Sequence, residues 1–422
     1  MTAATKRRPG QSVPVGLLLT LVTFAPTVVF YAGVTTSLTL GATLAGILSV
    51  LIVAACPVGL GEPLARATAS MIAIMLVLSV HLLFASLLYA VDFPHALASF
   101  APLLILSLGG VALAVAIQSV SPEHFNAVVH SVFAALCLVA LLPIVGLDFS
   151  LIYPGNGYAK PIYPFTEPSH FALIFMPFYL YACVTAQAGR RLMLLGLGLV
   201  LILGLESLTL ALGWLIVALI CMRGLVLPVI VVAALAVLLT VLDLSYFLDR
   251  LDFSDANQNL STLVYLQGWD LASEALTATH GWGEGFQQLG LQGTNSPTSQ
   301  IIYALTGNEM NILDGGFVLA KLVGELGYLG MIIVAGLLTA IVRSVIVLRK
   351  GARLPGMVPA PMLFAHAVFA GFLVELLVRG TGYFAGTTML LVTATVLRNR
   401  FFRSVGESMV PSRNAPLIAV AR

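Results

Sequence analysis

Apolar runs of about twenty residues recur from one end of this chain to the other, and they constrain its fold more than any other feature. In lipid, a run of that length must satisfy every backbone N–H and C=O within its own segment, which selects the α-helix. A membrane β-barrel would show short alternating stretches instead. Composition agrees. Of 422 residues, 59% are hydrophobic and only 9% charged, against roughly 25% charged in an average soluble domain. So few charges could not cover a water-facing surface. A cytosolic globular enzyme, a disordered protein and a nucleic-acid binder are therefore excluded. The reading is an all-α polytopic membrane protein, one integral membrane domain over residues 1–422.

Twelve spans are predicted, roughly at 13–32, 36–56, 69–90, 97–117, 126–145, 168–188, 191–206, 208–222, 225–242, 316–342, 361–378 and 382–397. The short pair 191–206 and 208–222 is either one long kinked helix or two helices meeting at Glu206-Ser207. Met1 to Arg8 is basic and an apolar run starts at Val13. A retained first span is preferred there to a cleaved signal peptide, because no A-x-A-like site follows clearly and further spans do. Two polar stretches interrupt the pattern. One is 146–167, rich in Tyr, Pro and Gly; the other is 243–315, a long loop before the tenth span. The positive-inside rule sets orientation. With the N-terminus in the cytoplasm, Lys160, Arg250, Lys321 and Arg379 lie on or near the outer side, and the other sixteen of the 20 Lys and Arg lie inside. Both termini are then cytoplasmic and both polar stretches face outward. Cys56, Cys137, Cys183 and Cys221 sit in or beside apolar runs without close spacing, which reads as packing rather than a metal site or disulfides.

An ionisable side chain within a span costs roughly 2.5–3.5 kcal/mol, so its depth matters. Glu167 and His170 open the sixth span, Glu206 sits at the outer turn between the seventh and eighth, and Lys321 and Glu325 lie in the outer half of the tenth. Glu375 ends the eleventh, with Arg379 just beyond. All seven share one membrane level, which predicts a water-accessible chamber open to the outside. Simpler readings stand beside this one. Lys321/Glu325 and Glu375/Arg379 are each i,i+4 and could neutralise themselves. Glu206 could be a plain helix-end residue. His81, alone near mid-depth, reads as a core histidine, and His130 and His366 lie towards the cytoplasm. Tyr153, Tyr158, Tyr163 and Phe165 read as interfacial aromatics or as platforms for sugar rings.

The segment Pro164-Phe165-Thr166-Glu167-Pro168-Ser169-His170-Phe171-Ala172 is the most informative. Pro168 suits the first turn of a helix, which Thr166 or Glu167 can cap. Glu167 and His170, three apart, can face one side as an acid/base pair; the alternative is a simple capping arrangement.

Glu167-Pro168-Ser169-His170-Phe171-Ala172 resembles the E-P-S-H-F-A stretch of Wzy-type polysaccharide repeat-unit polymerases, which include O-antigen and exopolysaccharide polymerases of Gram-negative bacteria. Three further stretches are similar. His280-Gly281-Trp282-Gly283-Glu284-Gly285-Phe286 resembles the glycine-rich part of that family's large outer loop. Asp314-Gly315-Gly316 with Lys321-Leu322-Val323-Gly324-Glu325-Leu326-Gly327 resembles the entry to its next span. Glu375 with Arg379-Gly380-Thr381-Gly382-Tyr383-Phe384 resembles its late outer turn. The family usually places arginines in both outer loops, whereas here the first offers only Lys160 and the second Arg250. Lysine meets phosphate as a point charge without the bidentate fork.

The resemblance implies a glycosyltransferase of the bacterial inner membrane acting at the periplasmic face. The growing glycan passes from undecaprenyl pyrophosphate to the terminal sugar hydroxyl of another lipid-linked repeat unit. For that chemistry Glu167 or His170 is the candidate base, and Arg379, Arg250 or Lys321 can stabilise the departing pyrophosphate, so Glu167, His170 and Arg379 are the catalytic candidates. Lys160, Arg250, Lys321, Glu325, Glu375, Tyr158, Trp282, His280 and Tyr383 are the substrate-binding candidates, with Trp269 a further sugar contact. No metal or other cofactor is expected, and the outer loops carry no D-x-D or histidine cluster. The expected partners are lipid-linked oligosaccharides, membrane lipid and a chain-length regulator protein. An O-antigen ligase using lipid A core as acceptor, and a lipid-linked oligosaccharide flippase or other transporter, are the alternatives.

Overall fold

The computed structural model describes residues 14–35, 37–56, 59–88, 90–147, 162–224, 226–232, 259–291, 293–307 and 312–409, with side chains to residue 399. The described part is helical: α1 (Val15–Tyr31), α2 (Leu38–Ala54), α3 (Gly61–Ala85), α4 (Phe93–Ser119), α5 (Pro122–Ile144), α6 (Pro168–Thr185), α7 (Ala188–Leu205), α8 (Leu208–Cys221), α9 (Leu260–Ala278), α10 (Pro297–Thr306), α11 (Val318–Gly351), α12 (Ala360–Leu377) and α13 (Gly386–Met409). No strand occurs among the described residues. Within them, seven helices (α3, α4, α5, α6, α7, α11 and α12) are long and apolar enough to cross a membrane, and α1, α2 and α8 are shorter apolar helices. This is the character of a membrane-embedded, polytopic helical protein.

Helices stand at the places of the predicted spans except 225–242, most of which lies outside the described residues, as do Tyr153, Tyr158, Lys160 and Arg250. The 191–222 region is two helices. Glu206 takes the left-handed conformation (φ 46°) that ends α7, and the Ser207 side chain accepts from the Leu210 N–H to start α8. The polar stretch before α11 is folded over its described part, into α9 and α10. Asp270 of α9 accepts hydrogen bonds from Ser296 and Thr298 at the start of α10, and Glu274 accepts from Thr294 Oγ1 at 2.6 Å and Asn295 N at 3.0 Å.

The helices differ in how enclosed they are. In α6 and α12, 78% of the apolar window is buried, against 17% in α3. The lipid-like surface of α3 includes Ile72, Leu76 and Leu83, all more than half exposed. α6 and α12 are therefore the central helices, and both carry candidate residues at one end. Along α6, Phe171, Phe175 and Tyr179 recur every fourth residue, and their rings stack at 5.0 and 5.1 Å in a column flanked by Phe133 of α5.

α11 is not one continuous helix. Gly327 breaks it with φ 53° and ψ −128°, a conformation that strongly favours glycine. The predicted tenth span thus consists of a short segment carrying Lys321 and Glu325 and a longer one running from Tyr328 to Gly351.

Candidate functional site

Pro168 stands in the first turn of α6, as its missing N–H favours. Glu167 occupies the N-cap position with an extended backbone, but its side chain makes no capping hydrogen bond. Thr166 Oγ1 is 2.6 Å from His170 Nδ1, and Glu167 Oε2 accepts from Ser169 Oγ at 2.8 Å. A stronger charge has drawn the carboxylate away from the backbone: Arg379 Nη2 donates to Glu167 Oε2 at 3.3 Å. Phe165 anchors the approach to α6. It is 1% exposed and packs on Phe24 and Phe171, which makes it a core residue rather than an interfacial or sugar-stacking aromatic.

Arg379 follows the end of α12, and the Gly380 N–H donates to Gly316 O at 2.9 Å, joining this turn to the entry of α11. The self-neutralising Glu375/Arg379 pair is not formed. Glu375 is 1% exposed and accepts from Thr387 Oγ1 at 2.9 Å and Thr381 Oγ1 at 3.3 Å, so two hydroxyls satisfy it and Arg379 is left to reach Glu167. The Lys321/Glu325 pair does form, at 3.4 Å, with both side chains buried. Lys321 also donates to Leu313 O, lies 3.8 Å from Asp314 Oδ1 and sits 5.3 Å from the centre of the Tyr383 ring. His170 is within electrostatic range of Glu167, Arg379 and Asp314. Glu167, His170, Asp314, Lys321, Glu325, Arg379 and Tyr383 thus form one connected cluster, where α6, α11 and the α12–α13 turn meet.

The glycine-rich stretch docks against the break in α11. Glu284 N donates to Gly324 O at 2.9 Å, Gly285 N to Glu325 O at 2.7 Å, and Tyr328 N to Gly281 O at 3.0 Å. These bonds satisfy backbone groups that the break would otherwise leave unpaired. A Cβ on Gly327 would overlap the main chain of Gly281 and Trp282, so the close approach requires glycine there as much as the positive φ does. His280, at the head of the stretch, is exposed with φ 52°.

His81 is not alone. Its ring stacks on Trp282 at 4.8 Å and 8°, its Nε2 donates to Trp282 O at 2.9 Å, and Trp282 Nε1 donates back to His81 O at 3.2 Å. One face of the indole is thereby taken by the imidazole, although Trp282 remains 38% exposed. Trp269 packs against Phe317, with ring centres 5.2 Å apart. Gln288 fastens the loop to the α3–α4 turn, accepting from Asp92 N at 2.7 Å and donating to Asp92 O at 3.1 Å. The half-buried Glu284 has its carboxyl pushed up to about 7 by burial, with the carboxylates of Glu325 and Glu274 adding to the effect and a main-chain bond at Gly290 opposing it.

Sequence reasoning quoted Asp314 without giving it a role in the site, and missed Gln287, Gln288 and the His81–Trp282 contact. The signal available for these was the run of alternate glycines at 281, 283 and 285, which marks close backbone approach. Among the described residues, no group of three or more His, Cys, Asp and Glu is arranged to hold a metal ion. Comparison with family models, with curated proteins and with solved structures finds no match.

Proposed function

We propose that this protein is a polysaccharide repeat-unit polymerase of the bacterial inner membrane, with twelve spans, cytoplasmic termini and its site at the periplasmic face. One observation carries the reading. The four stretches through which the sequence resembles Wzy-type polymerases, far apart in the chain, are in mutual contact: Glu167 with Arg379, Gly316 with Gly380, and Glu284 and Gly285 with Gly324 and Glu325.

The chemistry follows from the charges. The acceptor hydroxyl gives its proton to Glu167 or His170 while its oxygen attacks the donor's anomeric carbon. The carbon–oxygen bond to pyrophosphate breaks, and undecaprenyl pyrophosphate leaves with the electron pair. Arg379 receives that charge, a reading supported by an Nε without a hydrogen-bond partner among the described residues and a long Nη2 bond to Glu167. As pyrophosphate draws Arg379 away, Glu167 loses its counter-charge and becomes a better base. Glu167→Gln in cells that make the polymer tests this step. The expected result is single repeat units in place of a ladder at normal protein level; a full ladder would defeat the assignment. Deleting the gene separates polymerase from ligase, since losing a polymerase leaves single repeats on the core and losing a ligase leaves none.

A transporter is the second reading, favoured by the broken α11 with its buried Lys321–Glu325 pair. Against it, two carbonyls just before the break, those of Gly324 and Glu325, are bonded to the glycine-rich loop rather than free for an ion. Polymer made by purified protein in detergent, without a gradient, excludes transport as the activity.

A further inference from the structure

The mechanism above uses Glu167, His170 and Arg379, and leaves the most deeply buried carboxylate unexplained. Glu325 is 0% exposed; among the described residues neither of its oxygens has a hydrogen bond of good geometry, and the Lys321 ammonium stands 3.4 Å away, with the Tyr383 phenol and the Gln287 main chain adjoining. Three more buried orphan atoms belong to residues around it: Glu284 Oε2, Gln287 Nε2 and the Tyr383 hydroxyl. Glu325 interacts electrostatically with Glu284, lies close to the main chain of Gln287 and adjoins the Tyr383 phenol. Stacking holds Tyr383 in place, in a column with Phe286 at 5.9 Å and Phe100 a further 5.2 Å on. Five polar atoms buried together without a well-formed hydrogen bond among the described residues are costly to maintain unless something binds them.

The mixture of atoms selects the ligand. A cation would suit the carboxylates but would meet the Gln287 amide nitrogen and stand beside Lys321. An anion would meet Glu325. A hydroxyl group both donates and accepts, so it can give its hydrogen to Glu325 and receive one from Gln287 or Tyr383.

We propose that Glu284, Gln287, Glu325 and Tyr383 form a buried subsite for the hydroxyl groups of one sugar residue of the lipid-linked glycan. This rests on the polymerase reading and deepens it. Glu325 grips and orients a sugar, while the pyrophosphate end belongs to Arg379. The subsite is built at the break in α11 because Gly327 lets the glycine-rich loop bring Glu284 and Gln287 beside Glu325.

The test compares two ligands for the purified full-length protein: undecaprenyl pyrophosphate, and the lipid-linked repeat extracted from cells lacking the gene. Glu325→Gln weakens binding of the lipid-linked repeat at least tenfold and leaves binding of bare undecaprenyl pyrophosphate unchanged. Tyr383→Phe, which removes only the hydroxyl, gives a smaller loss with the same selectivity and serves where Glu325→Gln does not fold. Equal losses for both ligands overturn the proposal, because the effect is then on the lipid end or on the fold. Unchanged binding of the repeat also overturns it, since the orphan atoms then hold only water. So does a wild-type protein that binds both ligands alike. Selective binding by a wild-type protein that makes no polymer supports the subsite while defeating the polymerase reading.

Discussion

The two ends of α6 each meet an arginine, and the two arginines are used in opposite ways. At the end of the helix, Arg191 donates to Cys183 O at 2.9 Å, Ala186 O at 2.9 Å and Val184 O at 3.4 Å, to Cys221 O of α8 at 3.3 Å, and to Ala352 O beyond α11 at 3.1 Å. One guanidinium ties three helix C-termini together, where orphan carbonyls and the negative ends of helix dipoles converge. At the start of α6, Arg379 makes a 3.3 Å bond to a partly exposed carboxylate, and among the described residues its Nε has no partner. A cation whose donors are spent on backbone is a structural part. A cation with donors in reserve is available to a ligand.

The largest expected effect breaks the structural end. Arg191→Ala leaves several carbonyls without a donor, and hydrogen bonds to charged groups contribute about 1.5–3 kcal/mol each, non-additively. The expected loss is about 3–5 kcal/mol, read as a fall in the midpoint of thermal unfolding in detergent. Arg191→Lys recovers little, because an ammonium cannot reproduce the planar fork. The exposed neighbour Arg190 is the control, and Arg190→Ala changes stability by less than about 0.5 kcal/mol. If Arg190→Ala and Arg191→Ala lower the midpoint equally, the fall reflects net charge at this end and the tie carries no special weight.

The second effect falls on activity. Arg379→Ala removes a solvent-accessible ion pair, so stability moves by about 1 kcal/mol or less. Polymer formation falls about a hundredfold, equivalent to about 2.7 kcal/mol of transition-state stabilisation. Arg379→Lys keeps part of the rate. If Arg379→Ala unfolds the protein while retaining its specific activity, the contrast between the two arginines is reversed.

These two ends were not equally legible in the sequence. The helices were, because apolar runs report burial in lipid whatever their neighbours. That Glu167, Lys321 and Arg379 come near one another was also readable, since the span boundaries put all three at the same ends of their helices. Partners were not. Sequence spacing suggested that Glu375 pairs with Arg379, but Thr381 and Thr387 satisfy Glu375 and leave the arginine to a carboxylate 212 residues away. In the sequence Arg191 was only one of the sixteen Lys and Arg expected inside, because its acceptors are main-chain carbonyls, which leave no mark in a sequence. His81 read as solitary because Trp282 reaches it only through a helix break that a single glycine permits.

The smallest expected effect sharpens the comparison with pH. The Arg191 end joins a guanidinium to main-chain carbonyls and has no carboxyl in its bonds. The opposite end contains Glu284, whose carboxyl is pushed up to about 7 in the folded protein from an ordinary value near 4.5. The folded state therefore holds this proton more tightly than the unfolded chain does. By linkage, the resulting stability is fully present below about pH 4.5, declines as pH rises, and is gone above about pH 7. Glu284→Gln removes the titration while keeping the shape. Its unfolding midpoint is expected to exceed that of the wild type by a few degrees at pH 8 and by much less at pH 5, because the wild-type carboxyl is mostly neutral at the lower pH. A gain of the same size at both pH values would mean that the glutamine acts by packing and that Glu284 is not the titrating group.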